Sequence, residues 1–216
     1  MHVSGIHFAS AAPTRRAALC AALLGLPWMA MVPLAEAGID HRVTYDDSGI
    51  WARSNQQALI NGLMGAVGIG ALWEGGESRL GKTLWQSVDA GVVSGVASTA
   101  LKYAFSRERP SQTDDPHRWF TGNGQSFPSG EVTTVSSLVT PFVLEYRQDT
   151  PAIYALELLP VYDAIARVKT WGHWQTDVIA GFALGTTAGY MFHQRASPLI
   201  WSVMPHAIQI GIKMQF

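Results

Sequence analysis

The sequence predicts an all-α protein, and three observations carry that prediction. Five apolar stretches rich in Ala, Leu and Gly, at residues 58–73, 88–105, 132–146, 152–168 and 178–192, are spaced helically rather than in alternation. Only 14% of residues are charged, against about 25% in an average soluble domain, while 48% are hydrophobic. The length of 216 residues suits one domain with a single core. The expected architecture is a bundle of about five to six helices with a short strand-like C-terminal tail. Composition excludes a disordered or fibrous chain. A net charge of −1 excludes a broad nucleic-acid-binding face.

The chain opens on a segment read as targeting rather than fold. Arg15-Arg16 precede an apolar run that ends in Ala35-Glu36-Ala37, the small-x-small form of a signal peptidase site. Pro27 and Pro33 make that run a poor membrane-spanning helix. Residues 1–37 are therefore expected to be a signal peptide and 38–216 the mature domain. The one cysteine, Cys20, lies inside the leader, which leaves the mature chain without a disulfide or thiolate site. Export without disulfides points to a bacterial periplasm or the periplasmic face of a membrane.

The first and second stretches flank a polar connection over 73–82. The second and third flank a 17-residue loop over 111–127, rich in Gly, Asp and Asn, which carries Trp119 and Phe120. A loop of that length in a compact domain is commonly functional. The fourth stretch carries Glu157 and Asp163 within it. Most of the stretches are shorter than the ~20 residues a bilayer span needs. Bundled core helices and short membrane-embedded helices both fit this pattern, with the balance toward a bundle that is not fully transmembrane. At the C-terminus Ile208, Ile210, Ile212, Met214 and Phe216 alternate with other residues, a period of two that predicts a strand.

Three clusters have the composition of an anion site. Lys102 and Arg109-Pro110 close the second stretch, Pro128-Ser129-Gly130-Glu131 open the third, and Arg167, His173 and Asp177 lead into the last. Three cations at the ends of apolar helices call for a dianionic ligand, because a buried cation is costly unless paired. Arginine's planar fork suits phosphate oxygens. Ser129 is placed to cap a helix whose free N–H groups bind an anion, and Gly130 allows close approach. His173 and Asp177 are four apart and would share a helix face, letting Asp177 accept a hydrogen bond from one ring nitrogen and leave the other as a nucleophile.

In this order and spacing the clusters resemble the tripartite signature of the type 2 phosphatidic acid phosphatase superfamily, which includes bacterial class A acid phosphatases, lipid phosphate phosphatases and vanadium haloperoxidases. That signature reads Lys, six residues, Arg-Pro; then Pro-Ser-Gly-His; then Arg, five residues, His, three residues, Asp. The likeness covers about residues 88–192 and every signature position but one. It implies a helical bundle with the phosphate site at helix ends and metal-independent hydrolysis of a phosphomonoester, with no cofactor and no metal. His173 would form a phosphohistidine and Asp177 would orient it. Lys102, Arg109, Ser129, Gly130 and Arg167 would hold the phosphate oxygens.

The departure is Glu131, which stands where the family has the histidine that protonates the leaving oxygen. Beside a phosphate dianion its pKa is expected to rise, so that Glu131 could serve as the acid; His117 is an alternative donor. The expected substrate is an envelope lipid phosphate, with membrane association. The alternatives are a soluble periplasmic acid phosphatase acting on small phosphomonoesters and a catalytically impaired phosphate-binding envelope protein. No nucleic-acid partner is expected.

Overall fold

A computed structural model describes residues 38–195, together with the backbone of 200–204 and 207–211. The expected signal peptide and the end of the alternating tail, 212–216, lie outside the described residues. Among the described residues the fold is all-α, with five α-helices: α1 (Arg53–Glu74), α2 (Arg79–Phe105), α3 (Gly130–Tyr146), α4 (Leu158–Lys169) and α5 (Gln175–His193). Short 3₁₀ turns span Gly49–Trp51 and Pro151–Glu157. The tail is a hairpin rather than a lone strand: β1 (Ile200–Met204) pairs antiparallel with β2 (Ala207–Gly211), Ile200 opposite Gly211 and Met204 opposite Ala207.

The helices extend beyond the apolar stretches because caps and polar first turns continue them. The connection expected over 73–82 shrinks to four residues. Ser78 caps α2, its hydroxyl accepting from the Gly81 N–H at 2.9 Å, so 79–82 are already helix. In the fourth stretch, residues 151–157 form the 3₁₀ turn, and α4 starts only at Leu158.

α3 is the central helix. Val132, Val135, Leu138, Val139 and Val143 are all buried, as expected of a helix apolar around most of its circumference. It lies against α5 at very close range. Gly181, Gly185 and Gly189 repeat at i, i+4, i+8 on α5 and face it. A Cβ at Gly185 would sit 2.2 Å from the Thr133 carbonyl oxygen, and one at Gly189 2.5 Å from Thr140 Cβ. This approach also seats the starts of both helices side by side, the Ser129 N–H donating to the Asp177 carbonyl at 2.9 Å. No helix among the described residues is long and apolar enough to cross a membrane.

The α3–α5 seam has no room for a side chain, so Gly185→Ala should lower the unfolding free energy by about 1–3 kcal/mol. Urea denaturation followed by circular dichroism will measure it; an unchanged midpoint would mean that the two helices can separate freely.

Candidate active site

The site forms where helix ends converge. α1, α3 and α5 begin there, while α2 and α4 end there. Arg53 at the start of α1 grips Glu131 at the start of α3. Lys102 near the end of α2 donates to the carbonyls of Gln125, at 3.0 Å, and Pro128. Arg167 near the end of α4 donates to Gln56 Oε1 of α1 at 3.2 Å.

His173 sits in the turn before α5 rather than on the helix with Asp177. It is 3% exposed. Its Nδ1 lies 2.7 Å from the Ser126 carbonyl oxygen and 3.8 Å from Asp177 Oδ2. A carbonyl can only accept, so Nδ1 carries the proton and Nε2 keeps its lone pair. The orienting hydrogen bond therefore comes from the loop backbone and not, as the spacing implied, from Asp177. Burial, reinforced by the like charges of Lys102 and Arg167, pushes the His173 pKa down to about 3 against the opposing pull of Asp177. The ring is neutral across the physiological range.

Asp177 is occupied elsewhere. Oδ1 accepts from Arg107 Nη1 at 2.7 Å, and Oδ2 accepts from Ser126 Oγ at 2.5 Å and the Trp174 N–H at 2.9 Å. The last bond caps α5. Burial alone would raise its pKa; His173, Arg107 and Ser126 hold it below the usual carboxylate value. Arg107 is itself wholly buried. Nη1 also reaches Thr176 Oγ1 at 2.9 Å, and Nη2 donates to Asp40 Oδ2 and the Pro116 carbonyl, both at 2.7 Å. The guanidinium stacks over Trp119, 4.2 Å from the ring centre.

The three cations expected to hold phosphate lie within each other's field. Burial first, then the like charges of Arg109 and Arg167, drop the Lys102 pKa to about 8. Arg167 is 5% exposed and its pKa is lowered, chiefly by burial. Its Nε has no hydrogen-bond partner among the described residues, although Glu131 Oε2 lies 3.9 Å away. The chain at Gly172 passes directly over this guanidinium: a Cβ there would lie 2.2 Å from Nη2. Arg109 is half-buried, and its side chain makes no hydrogen bond among the described residues.

Ser129 is the N-cap residue of α3, but its hydroxyl does not cap the helix. It is buried and has no hydrogen-bond partner among the described residues. Gly130 lies against Lys102, with room for a Cβ only 3.5 Å from Lys102 Cε. An open helix N-terminus, an unengaged hydroxyl and three cations together make a receptor for an anion.

Glu131 differs most from expectation. Arg53 donates Nη1 to Oε2 and Nη2 to Oε1, both at 2.5 Å, a bidentate pair. Burial would raise the Glu131 pKa, but Arg53 and the fields of Arg167 and His173 outweigh it, and the net shift is downward. Without a bound phosphate, the carboxylate is thus held ionised. A neighbouring carboxyl shifts the other way. Asp163 on α4 is fully buried, and neither oxygen has a hydrogen-bond partner among the described residues. Burial and the charge of Glu131 push its pKa up to about 7. His117 is exposed on the loop surface.

Arg53, Gln56, Arg107 and Ser126 were not singled out from the sequence, and Asp163 was noted only as a charged residue within an apolar stretch. Arg107 sits inside the Lys102–Arg109 block, yet a lone arginine in a loop carries no signal of burial; a second charged residue in an apolar stretch, Asp163, did. Because Arg107 neutralises two buried carboxylates, Arg107→Ala should cost about 3–5 kcal/mol of stability. Thermal and urea unfolding will test this; a loss below 1 kcal/mol would show that Asp40 and Asp177 find other partners.

Comparison with known proteins identifies the family. The model of the PAP2 superfamily matches residues 84–201, more than half of the chain. Lipid A 1-phosphatase from Rhizobium etli is 33% identical over 114 residues, which cover 50% of this chain and 47% of that protein. The lipid A 1-phosphatase of Rhizobium johnstonii is 34% identical over 100 residues, 44% of this chain and 40% of the relative. That of Porphyromonas gingivalis is 30% identical over 119 residues, 54% of this chain and 24% of the relative. The chain thus spans less than half the length of these relatives. No solved structure matches at a comparable level of significance. With its helix-end cation cluster and its family match over the helices that build it, the chain belongs to the PAP2 superfamily.

Proposed function

We propose that this chain is a metal-independent phosphatase of the bacterial envelope that hydrolyses the phosphomonoester of a lipid, through a phosphohistidine on His173. One observation carries the reading: a buried, neutral imidazole with a free Nε2 lies within the field of Lys102 and Arg167, beside an open helix N-terminus. The likeness to lipid A 1-phosphatases supports a lipid phosphate as substrate.

The chemistry follows from the groups present. Nε2 attacks phosphorus, and the bond to the leaving oxygen breaks with its electron pair going to that oxygen. The Nδ1–H stays on the ring, held by the Ser126 carbonyl, and the Asp177 carboxylate 3.8 Å away balances the charge of the phospho-imidazolium. Lys102, Arg109 and Arg167, with the N–H groups at Gly130, stabilise the equatorial oxygens. Water then attacks phosphorus and breaks the P–N bond, returning the electron pair to Nε2. Here Asp177 is a positioning residue that acts through the cap of α5 and the Ser126 hydroxyl.

Glu131 serves in this reading as the anchor of Arg53 and a counter-charge to Arg167, not as the proton donor. A non-catalytic phosphate-binding protein is the second reading, and the Arg53–Glu131 pair is the observation that favours it, since an ionised carboxylate cannot protonate a leaving group.

His173→Ala should abolish turnover of lipid phosphate, by more than about 10³-fold, and leave the circular dichroism spectrum unchanged. Retained turnover would remove the covalent mechanism, and no turnover in wild type would favour the second reading. Inhibition by inorganic phosphate should weaken as the pH rises through about 8, because Lys102 loses its charge there. The acid limb should show no loss from His173 down to about pH 3, since its lowered pKa keeps the ring neutral above that value. Both limbs are read from inhibition constants and kcat/KM across pH. With no proton donor, phenyl phosphate should be cleaved slower than p-nitrophenyl phosphate by at least about 10²-fold, the share that acid catalysis otherwise supplies; equal rates would require an acid at the leaving oxygen.

A further inference from the structure

One buried acid beside the site has no role in the chemistry above. Asp163 of α4 is 0% exposed, and both its oxygens lack a hydrogen-bond partner among the described residues. Buried polar groups are ordinarily satisfied, so an orphaned carboxyl calls for a reason. Pro160, Asp163 and Arg167 make an inward stripe on α4, spaced i, i+3, i+7. Asp163 and Arg167, four apart, are therefore neighbours on one face. Opposite charges so placed attract, yet no salt bridge joins these two among the described residues.

The Arg167 guanidinium is confined on its other sides. Nη1 donates to Gln56 Oε1 at 3.2 Å, and the chain at Gly172 passes over Nη2. Gln56 is itself fixed: its Nε2 donates to the Trp51 carbonyl at 2.8 Å, and its Oε1 also accepts from Arg53 Nη1 at 3.0 Å. Arg167 Nε has no hydrogen-bond partner among the described residues, with Glu131 Oε2 3.9 Å away. The protonation of Asp163 then decides what this guanidinium is free to do. A neutral acid leaves its charge to an incoming dianion. A carboxylate in the same dry interior would draw the guanidinium toward itself and set a negative charge beside the dianion.

We propose that Asp163 is a positioning residue for phosphate: neutral, it leaves Arg167 to the ligand; ionised, it competes with the ligand for that guanidinium. The proposal rests on the reading above for the place of the phosphate. Charged groups act on Asp163 from three helices. Glu131 of α3 favours the neutral form, while Arg167 of α4 and Arg53 of α1 oppose it. Glu157 of the 3₁₀ turn and Asp177 of α5 leave it unmoved. Its neighbour Tyr162 is a phenol whose pKa is pushed up, so it stays neutral. Burial and Glu131 prevail, and Asp163 changes state at about pH 7. Because the neutral form is the binding form, affinity is full below that value and declines above it.

The test measures the dissociation constant of inorganic phosphate by isothermal titration calorimetry, on wild type and on Asp163→Asn, whose amide keeps the shape of the neutral acid and cannot ionise. Well below pH 7 the two should bind equally. At about pH 8.5 the variant should bind tighter than wild type by at least about fivefold, the lower end of an ordinary coupling between two sites. The titrations of Lys102 and of phosphate itself occur in both proteins and cancel in the ratio. By reciprocity, bound phosphate must raise the Asp163 midpoint by at least about 0.7 pH unit. Carboxyl-carbon NMR of the wild-type chain reads that rise directly, so it decides the matter even where Asp163→Asn does not fold. Equal affinities of the two proteins at every pH, or a midpoint that phosphate leaves in place, would overturn the positioning role, while phosphate binding itself still upholds the site. Absence of phosphate binding to wild type would overturn the phosphate site, and this role with it.

Discussion

The site depends on one buried guanidinium. Arg107 lies between Asp40 and Asp177, out of contact with water, and each of these groups would be untenable there without the others. The triad joins three segments distant in sequence: the strand of chain before α1, the long loop between α2 and α3, and the start of α5. Once Asp177 is fixed, it caps α5 through the Trp174 N–H and holds Ser126 through its hydroxyl, and the Ser126 carbonyl then sets the His173 tautomer. The bare lone pair of His173 Nε2 is thus a consequence of an ion pair that does not touch it. Gly124 belongs to the same device: a Cβ there would lie 2.2 Å from the Arg107 carbonyl oxygen, so only glycine lets the loop close over the arginine.

Electrostatics on the other side of the site are arranged around Glu131. In place of a histidine that would share a proton with the ligand, the chain carries a carboxylate locked to Arg53. This brings α1 into the site and adds a fourth cation beside Lys102, Arg109 and Arg167. The cost falls on Asp163, whose burial beside Glu131 leaves it close to half protonated near neutral pH. The net field remains positive where Lys102, Arg109 and Arg167 meet, which is what an incoming dianion requires.

The fold and the convergence of Lys102, Arg109 and Arg167 at helix ends were legible in the sequence because both rest on local rules. Helical spacing identified each core helix among the described residues, and boundaries erred most where Ser78 capped a polar first turn, where 151–157 tightened into a 3₁₀ turn and where polar residues 53–57 began α1. The six-residue gap between Lys102 and Arg109 and the placement of Pro128-Ser129-Gly130 before an apolar run mark helix ends directly. The pairings were not legible. His173 and Asp177 are four apart, but one precedes the helix and the other lies within it, so spacing gave the wrong hydrogen bond.

Sequence by itself determined the class of the fold, the helix ends at which charge gathers and the family to which the chain is similar, since periodicity and capping act over only a few residues. Tertiary structure alone decided the protonation states and the partners: which carboxylate is ionised and which imidazole nitrogen is bare. Those outcomes depend on desolvation and on polar groups brought together across as many as 136 positions of chain, as between Asp40 and Thr176, and no local pattern encodes either.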